Sequence, residues 1–188
     1  MAFNLISQVV NGVKGGVTGT LKGSADIGSA SIKVVKDLTI NTVKGAGDLL
    51  EAGVHVPASI INGAISGVSE LGVTVVHSVK GIVNGAIQGA KESGIKEQDA
   101  VKGTVAQAIF SAKELGLNVA DVAVQAVTGA VNGVKQVGGD TVSATKNSIV
   151  AAMEAAKEVG DETLTSVKSA LHGSVEGAKD ILDEIKKS

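Results

Sequence analysis

The sequence predicts an all-α fold: an array of about eight 22-residue helical repeats, mostly antiparallel helices joined by tight glycine turns. Three observations predict it. The first is a nonamer pattern that recurs without insertion: TLKGSADIG from residue 20, TVKGAGDLL from 42, AISGVSELG from 64, AIQGAKESG from 86, AIFSAKELG from 108, AVNGVKQVG from 130, AMEAAKEVG from 152 and SVEGAKDIL from 174. Each start falls 22 residues after the last. Units in such strict register mark a repeat architecture, in which one unit buries its apolar side only by stacking on its neighbours. The chain 1–188 is accordingly one repeat domain.

The second observation is a shorter period inside the unit. Counting from the first residue of the nonamer, lysine recurs at position six (Lys91, Lys113, Lys135, Lys157, Lys179) and eleven residues later at position seventeen (Lys14, Lys36, Lys80, Lys102, Lys146, Lys168). Aliphatic residues fall mostly at positions two, five, thirteen, sixteen and twenty, in steps of three and four. Eleven residues over three turns keeps such a stripe on one face of an almost straight α-helix, and strand alternation does not fit it. Position twenty is the centre of the apolar face: Val17, Ile61, Val83, Val105, Val127, Ile149 and Leu171, with Thr39 the exception.

The third observation is where the eleven-residue symmetry breaks. Position nine shares the centre of that face, yet it is Gly28, Gly72, Gly94, Gly116, Gly138 and Gly160, with Leu50 and Leu182 the exceptions. Glycine's common helical use is just past a helix C-terminus, where the left-handed conformation closes the last turn. Capping residues follow: Ser29, Asn118, Asp140 and Asp161. These glycines are therefore expected to be helix turns, giving one helix of about 18–20 residues per unit. Pro57, mid-unit, is expected to start a helix of its own. The acid that recurs at position seven (Asp26, Asp48, Glu70, Glu92, Glu114, Glu158, Asp180) would then lie in the last turn, on the wrong side of the helix dipole.

A second glycine set lies opposite the apolar stripe. Gly19/Gly23, Gly63/Gly67, Gly85/Gly89, Gly129/Gly133 and Gly173/Gly177 are small-xxx-small pairs at the unit junctions, with Ala151/Ala155 the equivalent in the seventh unit. Recurrence in register points to close approach between helices.

Composition narrows the function classes. Hydrophobic residues make up 44% of the chain, but Trp, Tyr and Cys are absent and the aromatics are Phe3 and Phe110. The core must be aliphatic, and no disulfide or thiolate metal site can form. The 17 basic residues are all lysine against 19 acids, which removes the planar fork used on phosphate and guanine and argues against nucleic acid as a partner. No apolar run approaches the roughly 20 residues of a membrane span, and MAFNLISQVVNGVKGG lacks a basic leader and cleavage site. An intracellular protein is expected, cytoplasmic or on the surface of an internal membrane or granule.

Catalytic chemistry finds no constellation. His55 and His77 share one unit position and His172 stands elsewhere, without converging ligands. GVKGG at 12–16 lacks the GxxxxGK[ST] phosphate-loop pattern, and no GxSxG elbow occurs. No enzyme, cofactor, metal or small-molecule substrate is expected.

VTGAVNGVKQVGGDTVSATKNSIVAAMEAAKEV and VNGVKGGVTGTLKGSADI resemble the eleven-residue repeats of perilipins, and their Lys-Glu-Gly flavour is similar to synucleins and exchangeable apolipoproteins. The resemblance implies a lipid-surface coat of long amphipathic helices; the glycine at the centre of the apolar face departs from it. The primary expectation is a non-enzymatic structural protein that assembles with copies of itself, as homo-oligomer, filament or sheet, through its aliphatic faces and small-xxx-small glycines. The alternatives are a lipid-surface or storage-granule coat and, more distantly, a desiccation-type protectant. One layer of such helices would expose an apolar surface that must be covered.

Overall fold

A computed structural model describes residues 2–45, 55–72 and 74–185, the side chains of 2–5 and 55 excepted; Asp48 and Leu50 lie outside it. The described residues form helices α1 (Ala2–Leu21), α2 (Ile27–Gly45), α3 (His55–Glu70), α4 (Val75–Glu92), α5 (Glu97–Glu114), α6 (Val119–Gln136), α7 (Thr141–Val159), α8 (Asp161–Ser174) and α9 (Ala178–Ile185). The fold is an all-helical repeat array. The 22-residue period is visible as helices of 18 residues in α4, α5 and α6 separated by four-residue links.

Sequence neighbours pack antiparallel, but the closest partners are helices two apart. α1, α3, α5 and α7 lie side by side in one layer and α2, α4, α6 and α8 in a second, with α9 laid against α7 and α8. The two layers turn their aliphatic stripes toward each other. Val17, Ile61, Val83, Val105, Val127, Ile149 and Leu171 all have 0% of their surface exposed. Val, Ala and Ile dominate the core around them, and the small side chains let two helix layers meet closely. The uncovered apolar sheet that a single layer would present is thus covered within the chain.

Thr39, the polar residue on the stripe, is also fully buried, and its hydroxyl donates to Val35 O at 2.8 Å. Ser31 and Thr104 use the same bond to the carbonyl four residues back, at 2.6 and 2.7 Å. Each short polar side chain satisfies itself on its own helix, so a buried hydroxyl needs no partner from another element.

Helix starts follow local chemistry. Asn118 Oδ1 accepts from the N–H groups of Ala120 and Asp121, and Asp140 Oδ1 from those of Val142 and Ser143. Pro57 is the third residue of α3, where its missing N–H is one of the donors the helix cannot use. At α2 the cap is Asp26, whose Oδ1 accepts from Ser29 N at 3.1 Å, and not Ser29 itself. Hydrogen bonds from Ser29, its side chain first, hold the Asp26 carboxyl below the usual range; those from Ser143 do the same for Asp140.

Two outcomes test these assignments. Ile149→Ala removes a fully buried side chain and should cost about 2–5 kcal/mol in denaturant unfolding. Val142→Ala, at a residue 77% exposed, should stay within about 0.5 kcal/mol of the parent; equal effects at both sites would refute the face assignment. Because the folded Asp140 carboxyl is depressed, its contribution is present above the unfolded value and is lost as pH falls through the folded one. Asp140→Asn caps without titrating. Thermal melts should therefore show it unchanged at neutral pH with a shallower acid decline, and an identical acid slope would refute the cap.

Candidate functional site

The sequence singled out two sets of glycines, and the structure separates them by backbone conformation and by what surrounds them. At the turns, Gly72, Gly94, Gly116 and Gly138 adopt φ of 68°, 82°, 67° and 71°. After α4 the Gly94 N–H donates to Lys91 O at 3.1 Å and Ile95 N–H to Ala90 O at 2.9 Å. The same pair recurs after α5, from Gly116 to Lys113 O and Leu117 to Ala112 O, and after α6, from Gly138 to Lys135 O and Gly139 to Val134 O. This is the paired 6→1 and 5→2 closure that uses up orphan carbonyls, and it requires a left-handed residue. Gly160 differs: at φ 150°, ψ 160° it is the single residue between α7 and α8, in a region open essentially to glycine alone.

Gly28 is a correction. It lies inside the first turn of α2, and the turn before it is made by Gly23, at φ 85°. At the other end Gly177, φ 78°, turns the chain between α8 and α9. Both occupy position four, which stays helical in α3, α4 and α6. Among the described residues those three helices have a same-layer neighbour on each side, whereas α1 and α8 lack one; Gly45, the last residue of α2, stays helical although α2 also lacks one. An interior glycine costs a helix about 1 kcal/mol relative to alanine. Lateral packing offsets that cost in α3, α4 and α6, and after α1 and α8 the left-handed turn wins.

The second set divides the same way. A Cβ built on Gly63 would lie 2.5 Å from Val10 O, and one on Gly67 2.9 Å from Lys14 O. On Gly89 it would meet Thr39 Cβ at 2.6 Å, on Gly129 Lys80 O at 2.5 Å, and on Gly133 Asn84 O at 3.0 Å. Gly85 is pressed still more tightly against Ile32 O. These six glycines form seams along α3, α4 and α6, each receiving the backbone of the helix two before it. Gly81, which the pair pattern missed, extends the α4 seam onto Gly28 O. Gly28 contributes only its carbonyl to that seam, since a Cβ on Gly28 itself would meet just Asp26 Oδ1 at 3.5 Å. Gly19, Gly23, Gly173 and Gly177 are the correction: nothing lies within 4 Å of a Cβ at any of them.

The seams carry charge pairs at their edges. Lys14 Nζ meets Glu70 Oε1 at 2.6 Å, and one unit later Lys36 Nζ meets Glu92 Oε1 at 2.6 Å. A position-seventeen lysine thus answers the position-seven acid that the helix dipole disfavours, from the helix two before it. Both pairs are partly exposed and contribute up to about 1 kcal/mol each. Sequence spacing placed both residue types and could not show that they meet.

Where the seam chemistry changes, the stack loosens. In α7 the seam residues are Ala151 and Ala155, and there a groove of about 240 Å³ opens beside Phe110, between Lys102 and Glu158. A larger groove of about 550 Å³ lies where α6, α7 and the end of α8 meet. His77 and His172 are exposed, and no cluster of three or more metal-ligating side chains occurs among the described residues. No described helix is long and apolar enough to cross a membrane.

A two-layer stack of short helices, closed by left-handed glycines and held by glycine seams, defines a helical repeat protein. The crystal structure of a de novo designed helical repeat protein is similar over 98% of this chain and 96% of that one, with a TM-score of 0.56 and 21% identity. No family model matches the chain, and no curated protein matches it.

The seams make a paired prediction. Gly129→Ala forces a methyl onto Lys80 O and should cost about 1–3 kcal/mol. Gly19→Ala meets nothing and should stabilise by about 1 kcal/mol through helix propensity. Urea unfolding of both variants reads the difference, and the same sign at both sites would refute the seam assignment.

Proposed function

We propose that this chain is a non-enzymatic structural repeat protein that associates with copies of itself through the uncovered ends of its array. The observation that carries the reading is the bare outer side of α1. Gly15 and Gly19 are exposed there with no described helix over them. Repeat arrays need polar terminal units to stay single, and an end that offers an unfilled stacking surface favours another copy. Association through the aliphatic stripes, the route expected from sequence, would require the two layers to part, because those side chains are buried between them. The lipid-coat reading needs the same opening, together with removal of the left-handed turns that interrupt a long surface helix.

Light scattering behind size-exclusion chromatography, with circular dichroism and vesicle flotation, tests the reading. Lipid-free protein should be strongly helical, should form particles heavier than the 18.6 kDa chain as concentration rises, and should not float with vesicles. A helical monomer at every concentration would overturn self-association. Coil that turns helical only on vesicles would replace it with the coat, and coil that folds only on drying with the protectant.

A further inference from the structure

The interface between same-layer helices has two unlike halves. The acceptor half is a glycine seam: on α4, Gly81, Gly85 and Gly89 lie over the carbonyls of Gly28, Ile32 and Lys36, too close for any side chain. The donor half is the surface laid into such a seam. On α4 it includes Asn84 and Ile87, which are 6% and 0% exposed because α6 sets Gly133 over them.

Each half is unfilled at one end of the molecule. Three units before the α4 seam stand Gly15, Gly19 and Gly23, and a Cβ at any of them would meet nothing within 4 Å. Gly15 and Gly19 lie in α1 and hold no described helix, while Gly23, past the end of α1, has turned to φ 85°. At the other end α8 runs for only 14 residues and stops at Ser174, against 18 in α6. Thr128 and Val131, two units after Asn84 and Ile87, are consequently half-buried and floor the 550 Å³ groove. Gly177, which would cover them as Gly133 covers Asn84, has turned away at φ 78°. Val142 on the groove's rim is 77% exposed. α9 meets α7 near Lys146, whose Nζ bonds Glu184 at 3.1 Å, and contributes nothing to the groove's lining.

We infer that copies associate head to tail, the glycine seam of α1 on one copy seating in the α6–α7 groove of the next. The occupant of each surface is a second copy of this chain, because the contact continues an interface the chain already makes three times inside itself, where α3, α4 and α6 receive the helix two before them. α1 presents a side without side chains at Gly15 and Gly19. Such a contact is heterologous: each copy keeps one free acceptor and one free donor, so assembly continues into an open filament or closes as a ring. The inference rests on the self-association proposed above and adds its geometry.

The test uses two variants of the full chain. Gly15→Leu with Gly19→Leu blocks the head, and Val142→Arg blocks the tail. None of these positions is packed, so helicity and melting temperature should hold or rise, which circular dichroism checks. In sedimentation velocity the parent should form a concentration-dependent series, whereas each variant alone should remain monomeric. An equimolar mixture should form dimers and nothing larger, since one variant retains a tail and the other a head. A parent that associates while Val142→Arg associates equally well would overturn the head-to-tail mode and leave self-association standing. Mixtures that stay monomeric would do the same. A parent monomeric at every concentration would overturn both.

Discussion

Everything in this molecule depends on how closely two parallel helices of one layer can approach. The glycine seams on α3, α4 and α6 let the backbone of one helix lie where side chains of the next would otherwise stand. That proximity sets the lateral spacing of each layer and hence how the two aliphatic faces meet. A core of Val, Ala and Ile, without large aromatics to bridge a gap, is filled only if the layers are drawn tight. Where alanine replaces glycine in α7 the stack admits a groove, so the dependence can be seen within one chain.

The same constraint explains why so much glycine is compatible with so much helix. At about 1 kcal/mol for each interior site, the glycines would leave isolated helices of this sequence marginal. Dispersion contacts and the burial of the stripe compensate only when neighbours are present. Secondary structure here is therefore a product of stacking, and the unit has little reason to be helical alone.

Much of this could be read from residue order. The 22-residue period, the stripe centred on Val105, Val127 and Ile149, and the turn glycines from Gly72 to Gly160 are local repeats with a direct conformational meaning. The two-layer arrangement was harder to see. One period describes a helix's own faces and does not say whether its partner is the next helix or the one after it. Lys14 and Glu70 lie 56 residues apart in the sequence, and nothing in the local pattern joins them. Gly28 and Gly23 depart from the pattern for a related reason: position nine turns the chain in the middle of the array, but after α1 and α8 position four does so. Gly81 falls outside the paired pattern, being a third glycine one turn before Gly85.

The glycines at position four have a consequence for how such an array could change length. Gly67, Gly89 and Gly133 are helical beneath or beside a neighbour, while Gly23 and Gly177 are left-handed at the boundaries. One residue type at one place in the unit thus has two stable conformations, chosen by whether stacking continues. The boundary of the folded array is consequently not written at a fixed point in the chain. A block of two units grafted ahead of α1 would let Gly23 join its helix and move the turn elsewhere, so that growth by duplication brings its own terminus with it and requires no newly invented cap.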